Sequence, residues 1–322
     1  MTPCHPIRHP FLVLLVLVLA ALPSGAAEVS KYLPDDTEVV AFVNVRQLLD
    51  APLVQRHAGE QLKGALKENV ELQRLLAAAG FDPLRDVQSI TFAAPGKDTE
   101  KQALFIVSGS FHLDRIHALA DELARKDPDA LKLHRQGGLR IYETRSWDAA
   151  GTGFAAFADR GTLLISPSRE PILAALRAAE QNRPRGKAAL PALIQQADGT
   201  QTMWFAALAT KDVKDLLRSN SQTAGVADRI TSFTGTVSFS DVVQAAVQVH
   251  ATDLRAAGEV QRLMEALKGF VQFAALSNRE YGPLFCDLLD AMKVSSQRNT
   301  VTIGGTVSPD LIEKGLKKGR KP

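Results

Sequence analysis

The apolar positions of this chain alternate between a period of two and a period near 3.6. Glu38 to Val45 (EVVAFVNV) is a nearly unbroken β-rich run and predicts a buried strand. A short helix is expected over 46–53. A longer one is expected over 55–79, where Leu62, Leu66 and Val70 recur every four residues and Gly80 stands at the left-handed cap position. Val87 to Ala94 and Ala103 to Ser108 read as two strands joined by a polar turn at 95–101. Phe111 to Arg125 carries an amphipathic stripe of Leu113, Ile116, Leu119, Ala120 and Leu123. Strands follow at 139–144, 154–158 and 162–166, with Asp159-Arg160-Gly161 as a hairpin turn. Ser168 caps a helix that has Pro171 in its first turn and runs to about Glu180.

After the polar, basic stretch Gln181 to Lys187 the order starts again. Thr202 to Leu208 matches the first strand, and Val213 to Arg218 matches the short helix. Asp228 to Phe233 lies against Asp86 to Phe92, and Val242 to His250 lies against Ala103 to Ser108. A helix over 253–276 matches 111–125. Gln297-Arg298-Asn299-Thr300-Val301-Thr302-Ile303 matches Asp159-Arg160-Gly161-Thr162-Leu163-Leu164-Ile165, and each is followed by a serine cap and an early proline (Ser168 and Pro171, Ser308 and Pro309). The pattern predicts an α+β fold of two similar consecutive units, each a mainly antiparallel sheet with helices packed on one face. The expected boundaries are 28–182 for the first unit, 183–197 for a linker, 198–318 for the second unit and 319–322 for a basic tail.

Strand alternation adds a constraint on the second unit. Phe233, Gly235, Val237 and Phe239 share a face with Val243, Ala245, Val247 and Val249. Thr234, Thr236 and Ser238 share the other with Gln244, Ala246, Gln248 and His250. One face belongs to a core and the other is polar, as in antiparallel sheets covered on one side. The polar face is the best structural candidate for a contact surface; the alternative is plain exposure to solvent.

Residues 1–27 read as a secretory signal peptide. Arg8 precedes Phe11 to Leu22, twelve apolar residues in a row, and Gly25-Ala26-Ala27 supplies small residues for cleavage after Ala27. At ~1.5 Å per residue, twelve residues fall short of the ~30 Å hydrocarbon core. Cys4 lies inside the signal, so the exported chain keeps only Cys286, and no internal disulfide can form in it. Cys286 sits in an apolar helical stretch and reads as an inert thiol. The chain is 322 residues long, 45% hydrophobic and 23% charged, which excludes a disordered or collagen-like protein. Its net charge of +3 is too small for a dedicated nucleic-acid binder. The C-terminal cations Lys314, Lys317, Lys318, Arg320 and Lys321 suit a helix C-terminus and a solvated tail, or contact with an anionic surface.

Motifs that carry chemistry are missing from the sequence. His57, His112, His117, His134 and His250 show no ligand spacing; His112 and His117 are five apart and point to different sides of a helix. There is no HExxH, CxxC, EF-hand loop, GxSxG, SxxK, P-loop or GxGxxG. Asp35-Asp36 reads as a turn, Gly151-Thr152-Gly153 and Gly304-Gly305 as glycine turns, and Trp147 and Trp204 as packing rather than a glycan platform. No catalytic, cofactor-binding or metal-binding residue is assigned. If a dispersed site exists, His134, His250 and Asp241 are the first residues to compare.

Two segments carry a family resemblance. Tyr32 to Val54 (YLPDDTEVVAFVNVRQLLDAPLV) and Ala78 to Ala94 (AAGFDPLRDVQSITFAA) resemble a group of uncharacterised secreted proteins of planctomycete bacteria. The resemblance implies export and fold and carries no catalytic residue. The sequence thus predicts an exported, non-catalytic protein, periplasmic or extracellular, that binds or scaffolds an envelope protein or polymer. It predicts no nucleic-acid partner, no cofactor and no membrane span after signal removal. An exported hydrolase with a dispersed site and a signal-anchored envelope subunit are the alternatives.

Overall fold

The computed structural model describes residues 31–136, 138–145, 152–181, 186–187, 189–197, 200–276 and 282–319. The signal segment, Trp147 and the last three residues lie outside them.

Among the described residues twelve strands form one antiparallel sheet. In chain order they are β1 (Val39–Asn44), β2 (Val87–Ala94), β3 (Leu104–Gly109), β4 (Leu131–Gln136), β5 (Leu139–Thr144), β6 (Gly153–Asp159), β7 (Thr162–Ser166), β8 (Met203–Leu208), β9 (Ile230–Phe239), β10 (Val243–Ala251), β11 (Met292–Gln297) and β12 (Thr300–Val307). Their order across the sheet is β11-β12-β10-β9-β8-β1-β2-β3-β7-β6-β5-β4. The first strand of the N-terminal half pairs with the first strand of the C-terminal half, so both halves share a continuous sheet. Outward from that seam the orders β1-β2-β3-β7-β6 and β8-β9-β10-β12-β11 correspond strand for strand.

Among the described residues thirteen α-helices and one 3-10 helix (Ala224–Arg229) decorate the sheet. The first four are α1 (Val45–Asp50), α2 (Pro52–His57), α3 (Gly59–Glu68) and α4 (Val70–Ala79). The expected long helix over 55–79 is therefore three pieces. Asn69 makes the last break: it adopts an extended backbone, and its side chain accepts from Leu72 N–H at 2.9 Å as an N-cap. Gly80 ends α4 in the left-handed conformation, φ 64°, as expected. Two one-turn helices follow, α5 (Pro83–Asp86) and α6 (Thr99–Gln102), then α7 (Leu113–Lys126), α8 (Arg169–Glu180), α9 (Leu190–Gln196) and α10 (Lys211–Ser219). The C-terminal set is α11 (Leu254–Leu276), α12 (Gly282–Ala291) and α13 (Pro309–Gly319).

The two sheet faces are covered differently. Opposed residues of antiparallel strands point to the same side, so the register defines a face A containing Val40, Phe42, Ala93, Leu104, Ile106 and Leu164. In the N-terminal half α8 and α9 lie over face A, burying Ile172, Ala175, Leu190 and Ile194 in the main core cluster. Face B of that half receives α7, whose His117 meets Tyr142 and Phe157. The expectation of helices on one face only thus fails for the N-terminal half, because α8 and α9, which stand between β7 and β8 in the chain, lie over face A. In the C-terminal half α11 packs Ala256, Ala257 and Val260 against Val249 and Val301 on face B. There no described residue after β12 crosses face A; α13 packs on α12, which packs on α11.

Candidate binding surface

A single row of side chains on face A crosses the whole sheet. From β4 to β11 it reads His134, Ile141, Ala156, Leu164, Ile106, Thr91, Phe42, Trp204, Thr236, Ala246, Gly304, Lys293. Ile141 to Trp204 are at most 2% exposed. Past Trp204 the row is half-buried through Thr236, Ala246 and Gly304, and Lys293 is exposed. Trp204 stacks on Phe42 with ring centroids 5.0 Å apart, so it is a packing residue, and its indole N–H finds no acceptor.

Where the covering helices stop, the row sinks into a trough of about 440 Å³. Its floor is Ala246 and Gly304, which are register partners. A Cβ on Gly304 would come within 2.9 Å of the Ala245 carbonyl oxygen, so no side chain fits there without moving the strand. Gln201 and six further polar side chains, Thr236, Gln244, Thr302, Ser295, Thr306 and Lys293, form the walls. None of those six is hydrogen-bonded to a described residue. Gln201 is paired, accepting from Ser238. Beside the trough on face A, Thr234 donates to Gln248 Oε1 at 3.1 Å, and on face B Ser296 donates to Gln261 at 2.6 Å.

His250 lies at the edge of this surface. Its Nε2 is 3.0 Å from Thr234 Oγ1 and its Nδ1 3.2 Å from Thr300 Oγ1. Because Thr234 gives its proton to Gln248, the network is satisfied by the neutral Nε2–H tautomer, with Thr300 donating to Nδ1. Burial holds the His250 pKa below the ordinary imidazole value.

The residues named for a dispersed active site do not come together. His134 stands on the edge strand β4, 2.6 Å from Glu143 Oε2. His250 is on β10, at the other end of the sheet. Asp241 is in the β9–β10 turn, 2.9 Å from Arg56. Asp86 is held below the usual carboxylate range, first by its hydrogen bond from Arg85, and caps its own turn by accepting from Asp82 N–H. Cys286 is half-buried on α12, its Sγ 3.8 Å from the Gln272 carbonyl oxygen. Among the described residues no group of three or more His, Cys, Asp or Glu is placed to hold a metal ion. No described helix is long and apolar enough to cross a membrane.

The trough was only half legible in the sequence. Alternation showed Thr236, Gln244 and Ala246 on a polar face. Lys293 and Ser295 were missed because β11, a polar edge strand (MKVSSQ), lacks an apolar run. Large exposed apolar side chains are elsewhere: Phe270 and Phe273 on α11 and Phe285 on α12 are 59%, 73% and 50% exposed.

No family model matches this chain, and no curated protein matches it. Solved structures do. "Structure of crystal form III of TP0453" aligns with a TM-score of 0.51 at 10% identity, covering 90% of this chain and 97% of that one. "Structure of crystal form I of TP0453" aligns at 0.48 with 10% identity, covering 90% and 96%. At this identity the likeness to TP0453 is one of fold alone.

Proposed function

We propose that this chain is an exported, non-catalytic binding protein of the cell envelope or periplasm, and that it binds through the uncovered part of face A. The observation that carries the reading is the row through Leu164 and Ala246. A sheet face that is sealed under helices for seven positions opens at Trp204 into a trough with polar walls, Thr236, Gln244, Thr302, Ser295, Thr306 and Lys293 among them. Export rests on the signal-like residues 1–27 and on a chain with one thiol beyond them. Two duplicated units, 28–182 and 198–318, account for the matching strand orders on either side of the β1–β8 seam. The resemblance to secreted planctomycete proteins supports the same compartment.

Two measurements test the reading. The intact mass of the exported product should correspond to Glu28–Pro322; retention of residues 1–27 would overturn processing. Photo-crosslinking in envelope extract should then trap a defined component on the wild type. Ala246→Arg, which fills the trough floor, should abolish that product, while Val70→Glu on the exposed α4 should leave it. A crosslinked product indifferent to Ala246→Arg would overturn the assignment of the surface.

A further inference from the structure

The shape and chemistry of the trough narrow its ligand. It runs across the strands, from Thr236 on β9 to Lys293 on β11, with Ala246 and Gly304 between. A peptide lying across paired strands gains no backbone ladder, because β9, β10 and β12 already spend their N–H and C=O groups on each other. An apolar ligand gains little from a floor of alanine and glycine. What the walls offer is a set of hydroxyls and amides that both donate and accept, from Thr236, Gln244, Thr302, Ser295 and Thr306, with one cation at the end. No carboxylate lines the trough, and no described carboxylate pairs with Lys293. Strands lie ~4.8 Å apart, close to the advance of one pyranose residue along a linear glycan.

Resting on the reading that this face is the binding surface, we propose that the trough holds a linear acidic oligosaccharide. Its ring hydroxyls meet the Thr, Ser and Gln side chains of successive strands, and one carboxylate pairs with Lys293. The sugar lies across β9, β10, β12 and β11, one ring per strand.

Isothermal titration with tetragalacturonate, and with cellotetraose as a neutral linear glycan of the same length, tests this on the exported chain. Tetragalacturonate is expected to bind, and cellotetraose at least ~10-fold more weakly, since a charge-assisted hydrogen bond is lost. Lys293→Gln, an exposed edge position, should weaken tetragalacturonate by a similar factor and leave cellotetraose unchanged. Ala246→Leu should abolish both, with its thermal melt checked against the wild type. Equal binding of the two sugars, or tetragalacturonate binding that survives Ala246→Leu, would overturn the proposal. No sugar binding with an intact crosslink sensitive to Ala246→Arg would overturn the ligand class and spare the surface. Loss of both would overturn the two together.

Discussion

Compare Leu164 with Ala246. Both lie on face A, in one row, each on a strand of the matching series β1-β2-β3-β7 and β8-β9-β10-β12. Leu164 is 0% exposed beneath the segment that runs from β7 back to β8. Ala246 is half-buried at the bottom of a trough. The difference lies in what the chain does after the matching strand. In the N-terminal half it must return to the seam and carries Ile172, Ala175, Leu190 and Ile194 over face A. In the C-terminal half no strand follows β12 among the described residues, and α13 packs on α12. The residues follow suit: Ile, Leu and Phe under the crossing helices, Thr, Gln, Gly and Lys where none cross. One sheet thus has a face that is core at one end and open at the other.

The largest test of that contrast is truncation. Leu164→Ala should cost about 2–5 kcal/mol, because the methyls leave a closed core that can only partly collapse. Thr302→Ala, on the open half of the same face, should stay within about 0.5 kcal/mol. Urea unfolding of both variants measures this. Comparable losses would mean the C-terminal face is covered in solution.

Trp204 marks the border and gives an intermediate value. Replacing it with Phe removes ring volume packed on Phe42, which destabilises, but also removes an indole N–H that is buried without an acceptor. The second effect offsets part of the first, so Trp204→Phe should cost about 1 kcal/mol. A cost near that of Leu164→Ala would mean the N–H is satisfied after all.

This border separates what the sequence encodes locally from what it does not. The strand pattern EVVAFVNV and the alternation in 233–249 are local, and both were legible as buried and one-sided strands. The turn match between Asp159-Arg160-Gly161 and Gln297-Arg298-Asn299 was legible too, because hairpin chemistry is local. Whether a polar strand face is open, however, depends on where α8 and α9 land, and no periodicity encodes that. The edge strands β4 (LKLHRQ) and β11 (MKVSSQ) escaped notice for a related reason. Edge positions carry charged and polar residues that discourage further pairing, which erases the apolar signal of a strand.

A smaller effect is expected from pH. His117, in the covered half, and His250, in the open half, both have pKa values pushed down, in each case first by burial. For His117 the cation of Arg140 adds to this, while Asp121 and Asp114 oppose it. Unfolded imidazoles take up protons at pH ~6.5, before the folded ones do. The unfolded state therefore binds more protons, and stability should fall as pH drops from about 7 toward 5. His250→Asn should flatten part of this slope while leaving the His117 part in place. If the slope in Tm against pH is unchanged, His250 is solvated and the Thr234–His250–Thr300 network is not formed.

The smallest effect concerns how the halves are tied together. Arg56 on α2 reaches Asp241 in the β9–β10 turn at 2.9 Å, and Leu53 N–H donates to the Ser240 carbonyl at 3.3 Å. The ion pair is 52% and 69% exposed at its two ends, so solvent and salt screen it. Arg56→Ala and Asp241→Ala, combined in a double-mutant cycle, should show a coupling of about 0.2–1 kcal/mol that shrinks with added salt. The seam itself is held by the β1–β8 ladder and by Phe42 on Trp204, neither of which depends on charge. A coupling well above 1 kcal/mol would place a real share of the cohesion between the halves in the helices instead. Leu164 and Ala246 would then belong to two bodies clamped from outside rather than to one continuous sheet.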